Sequence, residues 1–169
     1  MNYILGQIIG IIAFIISLIA YHYQEKKKIL STSIVSNTLK LIHYLLLGAT
    51  SGGLTKLIAI LRDFIIIKKE KYKFLSSNIL FFDLLIIYML ISFLTYKNIL
   101  SLLPIIASLT NFIPVWNGNT MTIKKAAFFC YLFWLIYDIS IFSISGIISH
   151  TISILSIFLT IIKSNKLLK

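Results

Sequence analysis

Seven apolar runs follow one another along this chain, separated by short loops whose lysine content alternates between rich and poor. The runs are Tyr3–Tyr23, Ile29–Leu47, Leu54–Ile67, Ile79–Tyr96, Ile99–Trp116, Ile123–Phe142 and Ile147–Ile162. A helix that crosses a bilayer needs about 20 mostly apolar residues. Five of the runs are near that length, and the third and seventh need flanking residues. Composition agrees: 59% of the chain is hydrophobic, 12% is charged and the mean hydropathy is +0.96. A soluble fold of 169 residues has too little interior to hide that much apolar surface. The pattern excludes a soluble enzyme, a disordered tail and a disulfide scaffold. It predicts an all-α integral membrane protein with seven transmembrane helices in a single membrane domain over 1–169.

The net charge of +11 would suggest nucleic acid in a soluble protein. Here the cations punctuate the runs instead. Lys26, Lys27 and Lys28 follow the first run, and Lys68, Lys69, Lys71 and Lys73 the third. Lys124 and Lys125 follow the fifth, and Lys163, Lys166 and Lys169 the seventh. The loops after runs two and six carry no Lys or Arg, and the loop after run four carries Lys97 alone. Cytoplasmic loops are the lysine-rich ones. The expected topology is therefore an outside N-terminus and a cytoplasmic C-terminus. The first run lacks a basic n-region and a cleavage site, and it reads as a retained span. The expected partners are the lipid bilayer and a small solute, with a homo-oligomer also open and nucleic acid excluded.

A shift of 94 residues lays the first three runs on the last three without a gap. Ile11-Ile12-Ala13 meets Ile105-Ile106-Ala107, Leu41-Ile42 meets Leu135-Ile136, Gly52 meets Gly146 and Lys69 meets Lys163. Identity is weak evidence in so Ile- and Leu-rich a chain, but loops, glycines and basic clusters keep register. The expectation is two parallel three-helix repeats, 3–69 and 97–163, joined by a linker helix at 77–96 that restores the direction of the chain. Parallel repeats are one known plan for transporters.

The run Leu46-Leu47-Gly48 followed by Arg62, with Leu103-Pro104, Gly118 and Trp134-Leu135-Ile136, resembles the YgjV family of bacterial inner-membrane proteins. The three-plus-one-plus-three plan is similar to the wider PQ-loop/SWEET clan that includes the PnuC vitamin transporters. The resemblance covers nearly the whole chain. It implies that fold and a membrane location, and it implies no substrate. The clan's Pro-Gln dipeptide is absent: Gly10 and Pro104 occupy equivalent positions, and neither precedes Gln.

Ionisable groups in hydrocarbon are costly and normally face a cavity or one another. The substrate-pathway candidates are Lys40, His43, Lys56, Asn111, Trp134, Asp138 and His150. Ser33, Ser36, Lys40 and His43 share one face of the second run, and Tyr131, Trp134 and Asp138 one face of the sixth. Asp138 has two open roles, as counter-ion for Lys40 or as a solute-facing carboxylate. Lys56 falls on His150 across the repeat, in faces of small and polar residues that also suit close helix packing. Gly6, Gly10, Ala13 and Ser17 form such a face on the first run. Asn111 and Pro114 mark a kink that either binds, gates or is merely tolerated. Arg62 and Asp83, at similar depths, are expected to form a structural ion pair. The lone Cys130 reads as a small buried hydrophobe.

No nucleophile–base pair, paired carboxylates, metal spacing or phosphate loop is present, so no catalytic, cofactor-binding or metal residues are expected. Two functions stay open. One is a small-solute transporter or facilitator with a polar site between the repeats. The other is a non-transport membrane protein, such as a partner subunit, a sensor or an immunity-type protector.

Overall fold

The computed structural model describes residues 2–69 and 71–167; of the basic tail, Lys169 lies outside them. Among the described residues there are seven α-helices and no strands: α1 (Asn2–His22), α2 (Lys26–Leu46), α3 (Thr50–Lys68), α4 (Asn78–Leu94), α5 (Leu103–Asn117), α6 (Thr120–Ser140) and α7 (Ile144–Leu167). Each apolar run forms one α-helix, the fifth only from Leu103 onward. The third run gains a turn at its start, and the seventh grows at both ends. The fifth is divided: Ile99–Leu102 forms a 3-10 turn, and Pro104 sits in the first turn of α5, where its missing N–H leaves no bond unmade.

The chain is turned inside out relative to a soluble protein. Ile4, Ile8, Ile15 and Ile19 of α1 are exposed, as are Phe82, Met89 and Phe93 of α4 and Leu155 and Phe158 of α7. Lys40, His43, Lys56, Arg62, Asp63, Asp138 and His150 are buried. Asn2–Ala20 of α1 and the segment Ile99–Asn117 are each long and apolar enough to cross a membrane unaided. In α2, α3, α6 and α7 the mid-helix ionisable positions turn inward, whereas Asp83 of α4 stays exposed.

α1 packs on α2 and α2 on α3; α5 packs on α6 and α6 on α7. Two crossed contacts join these groups, α1 with α7 and α3 with α5, while α4 lies against α3. Small residues make the crossings close. A Cβ on Gly10 of α1 would run into Ser145 of α7 and His43 of α2, and Ser36 Oγ donates to the carbonyl of Ala13 at 2.9 Å. An aromatic cluster of Phe81, Phe112 and Trp116 fastens α4 to α5.

The ends of α2 and α6 are built alike. Gly48 (φ 71°) and Phe142 (φ 52°) are the positive-φ residues of the chain among those described. Beyond them, Ala49 N–H reaches back to Tyr44 O at 2.8 Å, and Ser143 N–H to Asp138 O at 2.9 Å. Both are the six-to-one bond of a Schellman cap, which a left-handed residue permits. At the other end of the bundle the lysine-rich loops meet. Lys69 Nζ donates to Trp116 O at 2.7 Å and Lys26 Nζ to Gly118 O at 3.1 Å, where the C-terminal carbonyls of α5 favour a cation.

Gly146 in the first turn of α7 has no room for a side chain, because a Cβ would overlap the Asp138 carboxylate. Gly146→Ala should therefore cost about 1–3 kcal/mol through forced displacement. Gly48→Ala, with open space but a left-handed backbone, should cost about 1–2 kcal/mol. Unfolding of the purified protein in detergent measures both. An unchanged midpoint for Gly146→Ala would mean that Asp138 does not lie against α7.

Candidate solute cavity

A cavity of about 120 Å³ lies between the two helix groups. Its deep wall is formed by Lys40 of α2, Lys56 of α3 and Trp134 of α6. From there it extends past Ser33, Ser108 and Asn111 toward Ala20, Ile29 and Lys124, at the lysine-rich ends of the helices. The volume admits several water-sized molecules, and the polar lining suits them.

The cavity's charges are unequally paired. Arg62 donates through Nε and Nη2 to Asp63 Oδ1 at 2.8 and 2.7 Å, and Ser33 Oγ donates to Asp63 Oδ2 at 2.8 Å. Both oxygens of Asp63 are thereby taken. The expected Arg62–Asp83 pair is not formed, and Asp83 sits on the exposed face of α4. Neighbours on a helix point about 100° apart, yet an arginine side chain is long enough to curl back on the next residue. Lys40 and Lys56 are only 8% and 6% exposed. Neither makes a hydrogen bond or ion pair to a described residue. Lys56 Nζ instead lies 3.5 Å from the centroid of the Trp134 ring, a cation–π contact. Asn111 Oδ1 is buried without a partner.

Beyond the deep wall the structure is closed. Asp138, fully buried, accepts from Tyr44 O–H at 2.9 Å and from His150 Nδ1–H at 2.6 Å. Its partners are thus a tyrosine and a histidine, and it forms no ion pair with Lys40. Trp134 stacks on Tyr44 at 5.3 Å and on His150 at 6.0 Å. His43 Nδ1–H donates to Gly6 O at 2.8 Å, which leaves Nε2 to accept from Ser143 O–H at 2.9 Å. Ser143 Oγ in turn accepts from Gly146 N–H at 3.2 Å. On the facing side, Tyr137 O–H meets Ser51 Oγ at 2.9 Å and accepts from Gly52 N–H at 3.2 Å. Past this layer a second hollow of about 150 Å³ opens at the opposite end, lined by Ser51, Lys97, Asn98 and Tyr137 among others.

Of the seven residues singled out by sequence, Lys40, Lys56, Asn111 and Trp134 line the cavity, while His43, Asp138 and His150 belong to the closed layer. Tyr44, Tyr137 and Ser143 of that layer were not foreseen. The signal for Tyr44 was the 94-residue shift itself, which sets it on Asp138. Among the described residues no three His, Cys, Asp or Glu side chains could share a metal ion.

Asp63→Asn should destabilise by about 3–5 kcal/mol by leaving Arg62 buried without its anion, and adding Arg62→Met should recover most of the loss. Asp83→Asn should change the unfolding midpoint little. Asp138→Asn leaves one acceptor oxygen where Tyr44 O–H and His150 Nδ1–H have two, and should cost about 1–3 kcal/mol. Adding Lys40→Met should not restore that loss, because Lys40 is not the partner.

A family profile described as bacterial inner membrane protein, Imp-YgjV, matches residues 4–167. No curated protein and no solved structure matches the chain.

Proposed function

The chain belongs to the Imp-YgjV family of bacterial inner membrane proteins, and from that premise we propose that it carries a small solute across the membrane by alternating access. The observation behind this reading is a polar cavity between two helix groups, separated by one closed layer from a hollow at the opposite end. In this reading the helices cross seven times, with the N-terminus outside and the C-terminus in the cytoplasm. The lysine-rich end, toward which the cavity extends, is then cytoplasmic.

The proposal includes two parallel three-helix units, 3–69 and 97–163, with α4 as linker, the plan of SWEET- and PnuC-like proteins. Exchange of the units sends α1·α2 to α5·α6, α2·α3 to α6·α7, and the crossed contact α1·α7 to α3·α5; each member of these pairs is present. The two left-handed residues, Gly48 and Phe142, are equivalent positions, and so are the donors and acceptors of their capping bonds. Tyr44 and Asp138 are equivalent as well, so their hydrogen bond crosses the pseudo-axis. His43 reaches the start of α7, and its equivalent Tyr137 reaches the start of α3. A closed layer built from paired positions can be opened from either side by a rotation of one unit against the other.

A metabolite uptake screen with purified protein in sealed vesicles tests the reading. At least one solute should accumulate above protein-free vesicles. Asn37→Cys places a thiol on the cavity wall, in a Cys130→Ser background. A methanethiosulfonate reagent should stop uptake by that variant, and a reductant should restore it. No protein-dependent uptake across the screen would contradict the proposal. For topology, a cysteine at the exposed Thr50 should be labelled by an impermeant reagent from outside cells. Labelling only from the cytoplasmic side would reverse the orientation.

A further inference from the structure

The cavity holds more positive charge than its own residues balance. Three cationic side chains, Lys40, Lys56 and Arg62, line its interior against the single carboxylate Asp63. Both oxygens of Asp63 are occupied by Arg62 and Ser33. Asp138 acts on the two lysines electrostatically from the closed layer, but its oxygens are held by Tyr44 and His150. Lys40 and Lys56 are also close enough to repel each other, and Arg62 adds to the repulsion on Lys56.

A lysine in hydrocarbon costs roughly 2.5–3.5 kcal/mol on insertion scales. Proteins normally offset that with a paired acid or by letting the ammonium reach the interface. Neither lysine does so here: both are more than nine-tenths buried, aimed into the cavity and without a protein acceptor. A Lys ammonium carries three donors. Trp134 supplies only a π face to one of them. What the pair lacks is a negatively charged oxygen acceptor, and the cavity has room for one.

We propose that the cavity is an oxyanion site, in which Lys40 and Lys56 bind the carboxylate or phosphate group of a small solute above Trp134. Arg62 is held by Asp63 and contributes field rather than a free fork. The anion supplies the acceptors that both ammonium groups are missing and screens their mutual repulsion. Asn111, one turn from the cytoplasm-facing mouth of the proposed orientation, offers an amide to a polar group further along the same solute. The volume limits the buried portion to a few non-hydrogen atoms, so either a small oxyanion or the acidic end of a longer molecule fits. This inference rests on the reading of the cavity as the solute site, and it names the substrate class.

The test is thermal unfolding and titration calorimetry of the full chain in neutral detergent. The probes are inorganic phosphate and acetate, with ionic strength held constant by sodium chloride. Glucose and choline serve as neutral and cationic comparisons. The expected result is saturable binding and a raised unfolding midpoint with phosphate, acetate or both, and neither with glucose or choline. Lys40→Met and Lys56→Met remove a cation without adding a polar group, and each should weaken binding at least about tenfold. Lys56→Arg should retain it. The two Met variants should fold, since each removes a buried charge that has no acid partner. Equal midpoints with and without the oxyanions, or binding that survives the double Met variant, would overturn the inference.

Anionic lipid offers the same chemistry, so a second arm adds phosphatidylglycerol or phosphatidylcholine to the micelles. Stabilisation by phosphatidylglycerol alone, with soluble oxyanions silent, would assign the lysines to a headgroup and overturn the solute site. The outcomes separate the two readings. Oxyanion binding without vesicle uptake leaves the site standing and removes the carrier. Uptake of a neutral solute without oxyanion binding does the reverse.

Discussion

Hydrocarbon solvates neither a charge nor an open backbone group, and that constraint organises this molecule. Exposed apolar rows run along α1, α4 and α7, and polar side chains from six helices are gathered inside. Once inside, each polar group has to find a partner or a hydrated space. Asp63 takes Arg62 and Ser33; Asp138 takes Tyr44 and His150; His43 takes Gly6 and Ser143. Lys40 and Lys56 take neither an acid nor a carbonyl, and the cavity lies where they point. The same constraint that builds the closed layer therefore leaves the site next to it.

Small residues are what allow the layer to close. Gly10 lets α1 meet His43 and Ser145, Gly52 lets Tyr44 and Tyr137 rest on α3, and Gly146 admits the Asp138 carboxylate against α7. Each is a close approach at the start or crossing of a helix, where a methyl group would push apart elements that share a buried hydrogen bond. The layer is thin along the bundle, about one helical turn from Lys40 to Tyr44 and from Trp134 to Asp138. In the proposed carrier, a modest rotation about it exchanges which end is open.

The helices were legible because their cause is local: a stretch of apolar residues, ended by lysines or by glycine and asparagine turns. The choice of polar candidates was legible for the same reason, since an ionisable residue stands out in an apolar run. Their assignment to cavity or closed layer was not. Lys40 and His43 are three residues apart on one face of α2, yet His43 turns to α1 and α7 while Lys40 turns to the cavity. That difference is decided by neighbours distant in sequence. The Arg62–Asp83 pair expected from depth does not form, because the arginine side chain is long enough to bend back to Asp63, the next residue. The likeness of Gly48 and Phe142 escaped identity matching altogether, because the shared property is a backbone angle.

In the proposed carrier, two halves move about a shared closed layer so that each end opens in turn. Pulsed electron resonance between spin labels at equivalent positions tests it most directly: one pair at Lys27 and Met121, the other at Thr50 and Ile144, in a Cys130→Ser background in lipid nanodiscs. Alternating access requires two distance populations at each end, with reciprocal weights, so that conditions favouring the longer distance at one end favour the shorter at the other. A single unchanging distance at both ends would contradict it.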